Sequence, residues 1–385
     1  MEELLKLQKP RLPNKDAHPY HMYDMITDTP AALRRVYQEE QAVIESVATV
    51  LHSDRINRIL LVGIGTSWHA TLNAAYLLNK VGGLGLSDTK TVTAWNSFDF
   101  IQQQPKIDSS SAVIIFSHRG VKKFSYQSYI RAKEAGSYTI LLTGVGSALI
   151  ESLDAVIRTS KQEQSSAFTI SHSCSYYVSL ILSVEIGLKN GVDTAKDLKQ
   201  NHLAKVPEYF ESLLQDETPY KRWAESAKDR SYLPFVGYLG NVSNCYEVAL
   251  KIKEAAWVVA EGCQLEQFIH GPFVAVDNKT ALTTIITPDP LGKERSHQLL
   301  NAAKHVGSVI SAITTKSDTT TESIVGVENT IKLVDVPDPI SIITNLGCLQ
   351  LLTYHLALAK KTNPDTFRRD QPLHSDAFTT AGLLI

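Results

Sequence analysis

Several features that would place the chain in a specialised class are absent. Its 385 residues hold 38 Lys and Arg against 40 Asp and Glu, so the basic excess typical of nucleic-acid-binding proteins is missing. No apolar run approaches the roughly 18 residues that a membrane-spanning helix needs. The N-terminus has no apolar signal core. We therefore expect a cytoplasmic protein that binds neither nucleic acid nor membrane.

Cysteine and methionine are also scarce, at four and three residues. The cysteines are Cys174, Cys245, Cys263 and Cys348, and none of them lies at a CxxC or metal-ligand spacing. We predict four structural thiols, because most buried cysteines are inert. Neither a metal nor an organic cofactor is expected.

The chain does contain a repeated pattern of strands and helices, and its length suits two or three domains. Apolar runs occur at Ile59–Gly63, Ala112–Ser117, Thr139–Gly144 and Ala155–Thr159, and again at Leu233–Gly237, Leu282–Thr287, Val309–Ile313 and Ile331–Val336. Such β-branched runs, separated by helical stretches, are typical of strands buried on both faces of a parallel sheet. The predicted fold class is α/β, with two tandem doubly wound domains.

The predicted limits divide the chain into four parts. They are an N-terminal helical extension over residues 1–50, α/β domains over 51–200 and 201–362, and an irregular C-terminal tail over 363–385. The extension is predicted to be largely amphipathic helix from His18 to Thr49. In a doubly wound domain, ligands bind at the carboxyl ends of the strands.

The loop after the first strand is a candidate anion site. It reads Gly63-Ile64-Gly65-Thr66-Ser67. Glycine lets the backbone approach an anion, and the N–H groups at a helix start favour phosphate. Thr66 and Ser67 either bind the anion or merely cap the helix.

The loop after the second apolar run is a second candidate. Ser117, His118, Arg119 and Lys122 combine a hydroxyl with basic side chains close to a helix start. Arginine in particular matches the geometry of phosphate. The alternative is a solvated basic loop without a ligand.

Glu247, Lys251 and Glu254 lie on one face of a predicted helix, at positions i, i+4 and i+7. The ordinary interpretation is a set of surface salt bridges, each worth under about 1 kcal/mol. His270 follows in an apolar, turn-forming segment, where a lone histidine is usually a core residue. A carboxylate and an imidazole together would nevertheless suit proton transfer next to a carbonyl.

These segments match a known family. The GTS loop, EVALKIKEAAWVVAEG and FIHGP together resemble the isomerase module of glucosamine-6-phosphate synthase, which is built from two sugar isomerase (SIS) domains. The resemblance extends from about His18 to Leu356. It implies that Thr66, Ser67 and Ser117 hold the phosphate of a phosphosugar.

The same resemblance implies catalytic roles in the second half. Lys251 matches a lysine that can form a Schiff base with the ketose carbonyl, and Glu254 matches the carboxylate that moves a proton between C1 and C2. His270 matches the ring-opening histidine, which in the family comes from the other subunit of a dimer. Glu247 matches a glutamate near the substrate. A homodimer is therefore expected.

Three departures limit the resemblance. Glu2 stands where the family has its N-terminal Cys nucleophile, so we do not expect ammonia to be made from glutamine. The phosphate loop SQSGET reads SHRGVK here, which adds His118, Arg119 and Lys122 as candidate substrate-binding residues. No lysine follows Arg369, whereas the family tail carries one over the site.

The predicted function is aldose–ketose isomerisation of an amino sugar phosphate. The sequence leaves open deamination of glucosamine-6-phosphate and ammonia-dependent synthesis from fructose-6-phosphate. The alternatives are cleavage of a fructosamine phosphate and a non-catalytic phosphosugar sensor. Glu254 and His270 together favour catalysis, because a sensor needs no acid–base pair. A separate ammonia-supplying subunit is also left open.

Overall fold

A computed structural model of the chain describes residues 11–120, 122–149 and 153–382. They form two compact units. The first consists mainly of Asp28–Glu163 and Ile170–Pro207, and the second of Pro13–Thr27, Gln164–Thr169 and the chain from Glu208 onward. The domain limits expected from the sequence stay a prediction.

The first unit is built on a five-stranded parallel sheet. Its strands are β1 (Arg58–Gly63), β2 (Thr91–Asn96), β3 (Ser111–Phe116), β4 (Tyr138–Thr143) and β5 (Ala155–Arg158). They lie in the order β2-β1-β3-β4-β5. The order in which strands are added to the sheet reverses between β1 and β3, and doubly wound folds bind ligands at such a switch point.

Helices follow or precede these strands. They are α1 (His21–Glu39), α2 (Gln41–His52), α3 (Thr66–Lys80), α4 (Ser97–Gln103), α5 (Lys123–Glu134), α6 (Ile170–Lys189), α7 (Asp193–Asp197) and α8 (Val206–Glu211). Side chains of alternate residues project to opposite faces of a strand. Val62, Val113 and Ile115 accordingly share one face of the sheet, where they pack with Phe100 of α4 and Tyr129 of α5.

The second unit repeats this arrangement. Its strands are β6 (Leu233–Gly237), β7 (Ala260–Gln264), β8 (Ala281–Ile285), β9 (Val309–Thr315) and β10 (Thr330–Leu333). Its helices are α9 (Thr218–Ala227), α10 (Asn241–Ala255), α11 (Leu265–Ile269), α12 (Pro290–His305), α13 (Thr319–Val325), α14 (Asp338–Ala359) and α15 (Pro372–Thr380). The order β10-β9-β8-β6-β7, read from its other end, is that of the first sheet. The predicted fold class of two parallel-sheet α/β units is confirmed.

The sequence did not indicate the second strand of either unit. Both β2 and β7 lie at an edge of their sheets, and their exposed or half-buried positions leave them without a continuous apolar run. The expected single helical stretch from His18 to Thr49 is divided into α1 and α2. The tail, expected to be irregular, contains α15.

The expectation about apolar runs was wrong for one helix. Helix α14 is long and apolar enough to cross a membrane by length and composition. Its most apolar stretch is 89% buried, however, and a core helix needs that composition. The apolar character of α14 is therefore explained by packing.

All four cysteines are buried free thiols, as predicted. Burial raises the pKa of Cys174 and of Cys263 to about 12. Thiolates are the reactive form of cysteine. The thiols thus serve as small apolar side chains.

Candidate functional site

Three strand ends lie side by side at the switch point of the first sheet. Val62 of β1 pairs with Trp95 on one side and with Ile115 on the other. Adjacent strands are about 4.8 Å apart. The loops that leave β1 and β3 therefore begin at one edge of the sheet, and they carry the residues predicted to bind phosphate.

The loop after β1 starts α3 without a side-chain cap. A Cβ atom on Gly63 would lie 2.4 Å from the Ser67 carbonyl oxygen, so only glycine allows this close approach of strand and helix. Gly65 is the N-cap and has φ +57°, a left-handed value that favours glycine. Thr66 and Ser67 are half-buried residues of the first helical turn, and neither occupies the N-cap position. Their role in binding an anion stays a prediction.

The loop after β3 begins with a buried hydroxyl. The backbone N–H of Ser117 donates to the Leu142 carbonyl oxygen at 3.0 Å and so extends the ladder between β3 and β4 by one residue. The side chain of Ser117 is 5% exposed, and its Oγ has no hydrogen-bond partner in the described part of the chain. Buried polar groups are normally satisfied. This hydroxyl is therefore available to a ligand.

His118 is a neutral, buried residue. Burial lowers the pKa of its imidazole to about 3, with further lowering by Arg119 and Arg11. The Nε2 atom accepts a hydrogen bond from the backbone N–H of Glu163 at 3.1 Å. His118 is thus neutral near neutral pH and adds no positive charge to the loop. Its carbonyl oxygen accepts from Thr143 and Ser147 hydroxyls, which fixes the loop.

Arg119 and Lys122 supply the positive charge of this loop. Both are half-buried, and Lys122 is the N-cap residue of α5 without capping it through its side chain. Gly120 between them has φ +73°, and a Cβ there would lie 2.7 Å from the Ala148 carbonyl oxygen. The backbone at Gly120 is therefore closely packed, and the choice between a ligand site and a solvated basic loop stays a prediction.

Two further buried hydroxyls lie near these loops and were not singled out from the sequence. Ser97 begins α4 and is fully buried, and Ser125 in the first turn of α5 is 2% exposed. Neither Oγ atom has a hydrogen-bond partner among the described residues. A serine at a helix start is too common to be noticed in a sequence. Only burial without a partner identifies them.

The second unit holds the other group of predicted residues, on α10. Lys251 is 2% exposed, and its Nζ forms an ion pair with Glu254 Oε2 and lies 3.6 Å from Glu247 Oε1. The Glu247 side chain is 1% exposed and that of Glu254 is 12% exposed. The interpretation of this row as surface salt bridges is excluded by these burial values.

Burial of the Lys251 group is energetically expensive. Each ion loses hydration worth several kcal/mol, which mutual attraction only partly restores. Lysine and glutamate are almost never fully buried unless they are paired. Glu254, at the more exposed end of the row, is the more accessible of the two carboxylates.

His270 does not join this group within one chain. It follows the short helix α11, its side chain is 74% exposed, and its Nε2 lies 3.6 Å from Glu266 Oε2. Glu266 is also held by Arg295. His270 therefore lies on the surface of the described chain, with a neighbour other than Lys251 or Glu254. Its predicted catalytic role stays a prediction.

Part of the first unit matches a known family. Residues 54–183 match the SIS domain family. The second unit has the same strand order as the first, so the two units share one topology.

Relatives extend the similarity to nearly the whole chain. The glutamine–fructose-6-phosphate aminotransferase (isomerizing) of Thermococcus kodakarensis is 26% identical over 357 residues, or 91% of this chain. The match spans only 57% of that relative. The chain therefore spans a little over half the length of the curated relatives it matches. Those relatives are enzymes by name.

Solved structures show the same fold. The C-terminal domain of the glucosamine-fructose-6-phosphate aminotransferase from Francisella tularensis has a TM-score of 0.79 and 20% identity, covering 92% of this chain and 99% of that domain. The glucosamine-6-phosphate deaminase of Thermotoga maritima has a TM-score of 0.68 and 18% identity, covering 90% and 97%. The expected resemblance to the isomerase module is confirmed.

Proposed function

We propose that the chain is an aldose–ketose isomerase of amino sugar phosphates, working in the direction of deamination. The buried Lys251–Glu254 pair with Glu247 carries this proposal. Burying these charges is costly, and an acid–base reaction gives the protein a use for them. The names of the aminotransferase and deaminase relatives support an amino sugar phosphate as the substrate.

Glu254 is the proposed proton carrier. In its ionised form it would take the C2 proton of an open-chain 2-amino aldose phosphate and return it to C1. This shift, with transfer of an N–H proton to the C1 oxygen, converts the amino aldehyde into a ketose imine. Water would then add to C2 and release ammonia. A positioned acid–base group of this kind typically contributes 10²- to 10⁴-fold in rate.

Lys251 is proposed to hold Glu254 and to meet the carbonyl. As an ammonium ion it orients the carboxylate through their ion pair. To form a Schiff base with a ketose carbonyl, the ammonium would first pass a proton to the adjacent Glu254, and the neutral amine would then add to the carbonyl carbon with loss of water. While Lys251 is an ammonium ion, the Glu247 carboxylate, at 3.6 Å, also offsets its charge.

The loops of the first unit are proposed to bind the phosphate. Thr66, Ser67 and the buried Ser117 offer hydroxyl donors, and the N-terminus of α3 favours an anion. Arg119 and Lys122 add charge that can strengthen hydrogen bonds to phosphate. An anion bound here would satisfy the unpartnered Ser117 hydroxyl.

A proton NMR time course in deuterated water tests this function. Glucosamine-6-phosphate, and in a second sample fructose-6-phosphate with ammonium, are incubated with the parent protein and with Glu254→Gln. We expect loss of a C1 or C2 proton signal with the parent and a rate at least about 100-fold lower with the variant. Glu225→Gln, a change at an exposed carboxylate of α9, is the matched control.

The exposure of His270 favours one competing function, phosphosugar sensing without turnover. Ring opening needs an acid–base group beside the sugar, and this chain alone leaves His270 in solvent. Line broadening of the sugar phosphate without any proton exchange would support the sensor. Catalysis across a subunit interface would be supported by two results together. The parent protein would exchange the sugar protons and sediment as a dimer, and His270→Asn would lose the exchange.

A further inference from the structure

A small niche beside the phosphate loop combines unpartnered hydroxyls with two phenylalanine rings, of which one is exposed. We define the Phe98 niche as Ser97, Phe98, Ser117, Phe124 and Ser125. All five lie at the carboxyl edge of the first sheet, where β2 leads into α4 and β3 leads into α5. Of these five residues, only Ser117 also belongs to the phosphate site proposed above.

The niche lies on one defined face of the sheet. Val113 and Ile115 project toward α4 and α5. Ser117 is two residues beyond Ile115 and still bonded to β4, so its side chain projects to the same face. Helices α4 and α5 pack on that face, and contact between the Phe98 and Phe124 rings joins their first turns. The register indicates that Ser97 and Ser125, at the same two helix starts, lie near Ser117.

Three hydroxyls in the niche are buried without partners. Ser97, Ser117 and Ser125 are 0%, 5% and 2% exposed, and none of their Oγ atoms has a hydrogen bond among the described residues. Helix α5 has 12 residues, and no side chain caps its N-terminus. Hydroxyl donors at a helix start suit an anionic oxygen, and phosphate carries several.

Two phenylalanine rings form the outer edge of the niche. Phe98 is 45% exposed, and its ring meets that of Phe124 edge to face, with centroids 5.0 Å apart. Lys123 Nζ lies 5.5 Å from the centre of the Phe124 ring. An exposed ring beside a cation is a surface on which another flat ring can stack. A free phosphate has no ring with which to use it.

We infer that the Phe98 niche binds phosphate esters that carry a flat ring, with a nucleoside monophosphate as the fitting class. The phosphate oxygens would accept from the serine hydroxyls, and the ring would lie against Phe98. Since Ser117 is shared with the proposed phosphosugar site, the two ligands would exclude each other. A nucleotide would then act as a competitive regulator.

Calorimetric titration of the full chain tests the inference without any turnover. The probes are uridine monophosphate, adenosine monophosphate, uridine, inorganic phosphate and glucose-6-phosphate. We expect at least one monophosphate to bind about fivefold or more tightly than inorganic phosphate, because stacking of one base commonly contributes that much. Excess glucose-6-phosphate should displace it.

Phe98→Ala should abolish this preference and leave the affinity for inorganic phosphate unchanged, since the ring is exposed and the hydroxyls are retained. Leu86→Ala, at a residue that is 92% exposed elsewhere in the same unit, is the matched control. Equal affinity for nucleotides and inorganic phosphate would overturn the inference. So would a nucleotide preference that survives Phe98→Ala.

The proposed isomerase activity is assayed separately, so the two failures can be told apart. Turnover of an amino sugar phosphate without any nucleotide preference would overturn the niche alone. Nucleotide binding without turnover would contradict the isomerase alone. Absence of binding by every phosphate probe would overturn the niche and also the assignment of Ser117 to phosphate.

Discussion

Replacement of Lys251 by methionine should strongly destabilise the second unit. The substitution keeps most of the apolar stem but removes the positive charge between Glu247 and Glu254. Glu247 is 1% exposed, so its carboxylate cannot regain full hydration in the folded state. Removing one partner of a buried ion pair costs about 3–5 kcal/mol. Whole domains are stabilised by only about 5–15 kcal/mol.

The destabilisation should be reduced when the buried carboxylate is neutralised as well. Glu247→Gln in the Lys251→Met background removes the charge that the first change leaves behind. We expect the double variant to be more stable than Lys251→Met alone, with a coupling energy of about 1–3 kcal/mol. Lys253→Met, at an exposed lysine of the same helix, is the control and should change stability by less than about 0.5 kcal/mol.

Urea unfolding followed by tryptophan fluorescence measures these differences. Trp223 and Trp257 belong to the second unit, so replacing Trp68 and Trp95 by phenylalanine restricts the signal to it. The Trp223 indole packs on Phe235 and is a reporter of that core. Additive effects of the two changes, or a loss in Lys251→Met no larger than in Lys253→Met, would refute the argument that this ion pair is buried.

Four further predictions concern single residues. Arg119→Ala should weaken phosphosugar binding by about 1.5–3 kcal/mol, and an unchanged dissociation constant in calorimetry would contradict a charged contact. The pKa of His118 is about 3 in the folded chain, below its unfolded value near 6.5. Its contribution to the free energy of unfolding should therefore be complete above pH 6.5 and decline as the pH falls toward 3, by at most about 1.36 kcal/mol per pH unit. His118→Gln should remove that slope in urea titrations. Burial alone would raise the pKa of Asp318, but hydrogen bonds from Lys293 and two hydroxyls lower it overall. Asp318→Asn should therefore be less stable than the parent above about pH 4, and the two should become equally stable in stronger acid. His270→Asn should lower turnover without affecting binding, and an active monomer in sedimentation at micromolar concentration would contradict its role across an interface.

The sequence alone was sufficient for the fold class. Strands such as Ile59–Gly63 and Leu233–Gly237 are apolar on both faces because helices cover both sides of a parallel sheet. The edge strands β2 and β7 escaped notice because one side of each faces solvent, which admits polar residues. Local composition therefore reports burial, and it misses strands that are defined by pairing with a neighbour.

The candidate site was only partly visible in the sequence. The spacing of Glu247, Lys251 and Glu254 placed them on one helical face, but the same spacing describes many solvated helices. Whether that face is buried depends on what packs against α10. The sequence of the helix itself does not contain this information. Burial in the folded unit distinguishes a costly ion pair from an ordinary surface one.

The loops show the same division between local and tertiary information. Glycine and hydroxyl residues after β1 predicted a turn into a helix, because that geometry is local. His118 is neutral because it is buried and accepts a hydrogen bond from the backbone of Glu163, 45 residues later. The Ser97 hydroxyl lacks a hydrogen-bond partner among the described residues because of how the surrounding elements pack. Sequence pattern determined which residues reach the edge of the sheet, and tertiary packing decided which of them keep their charge, their partners and their contact with solvent.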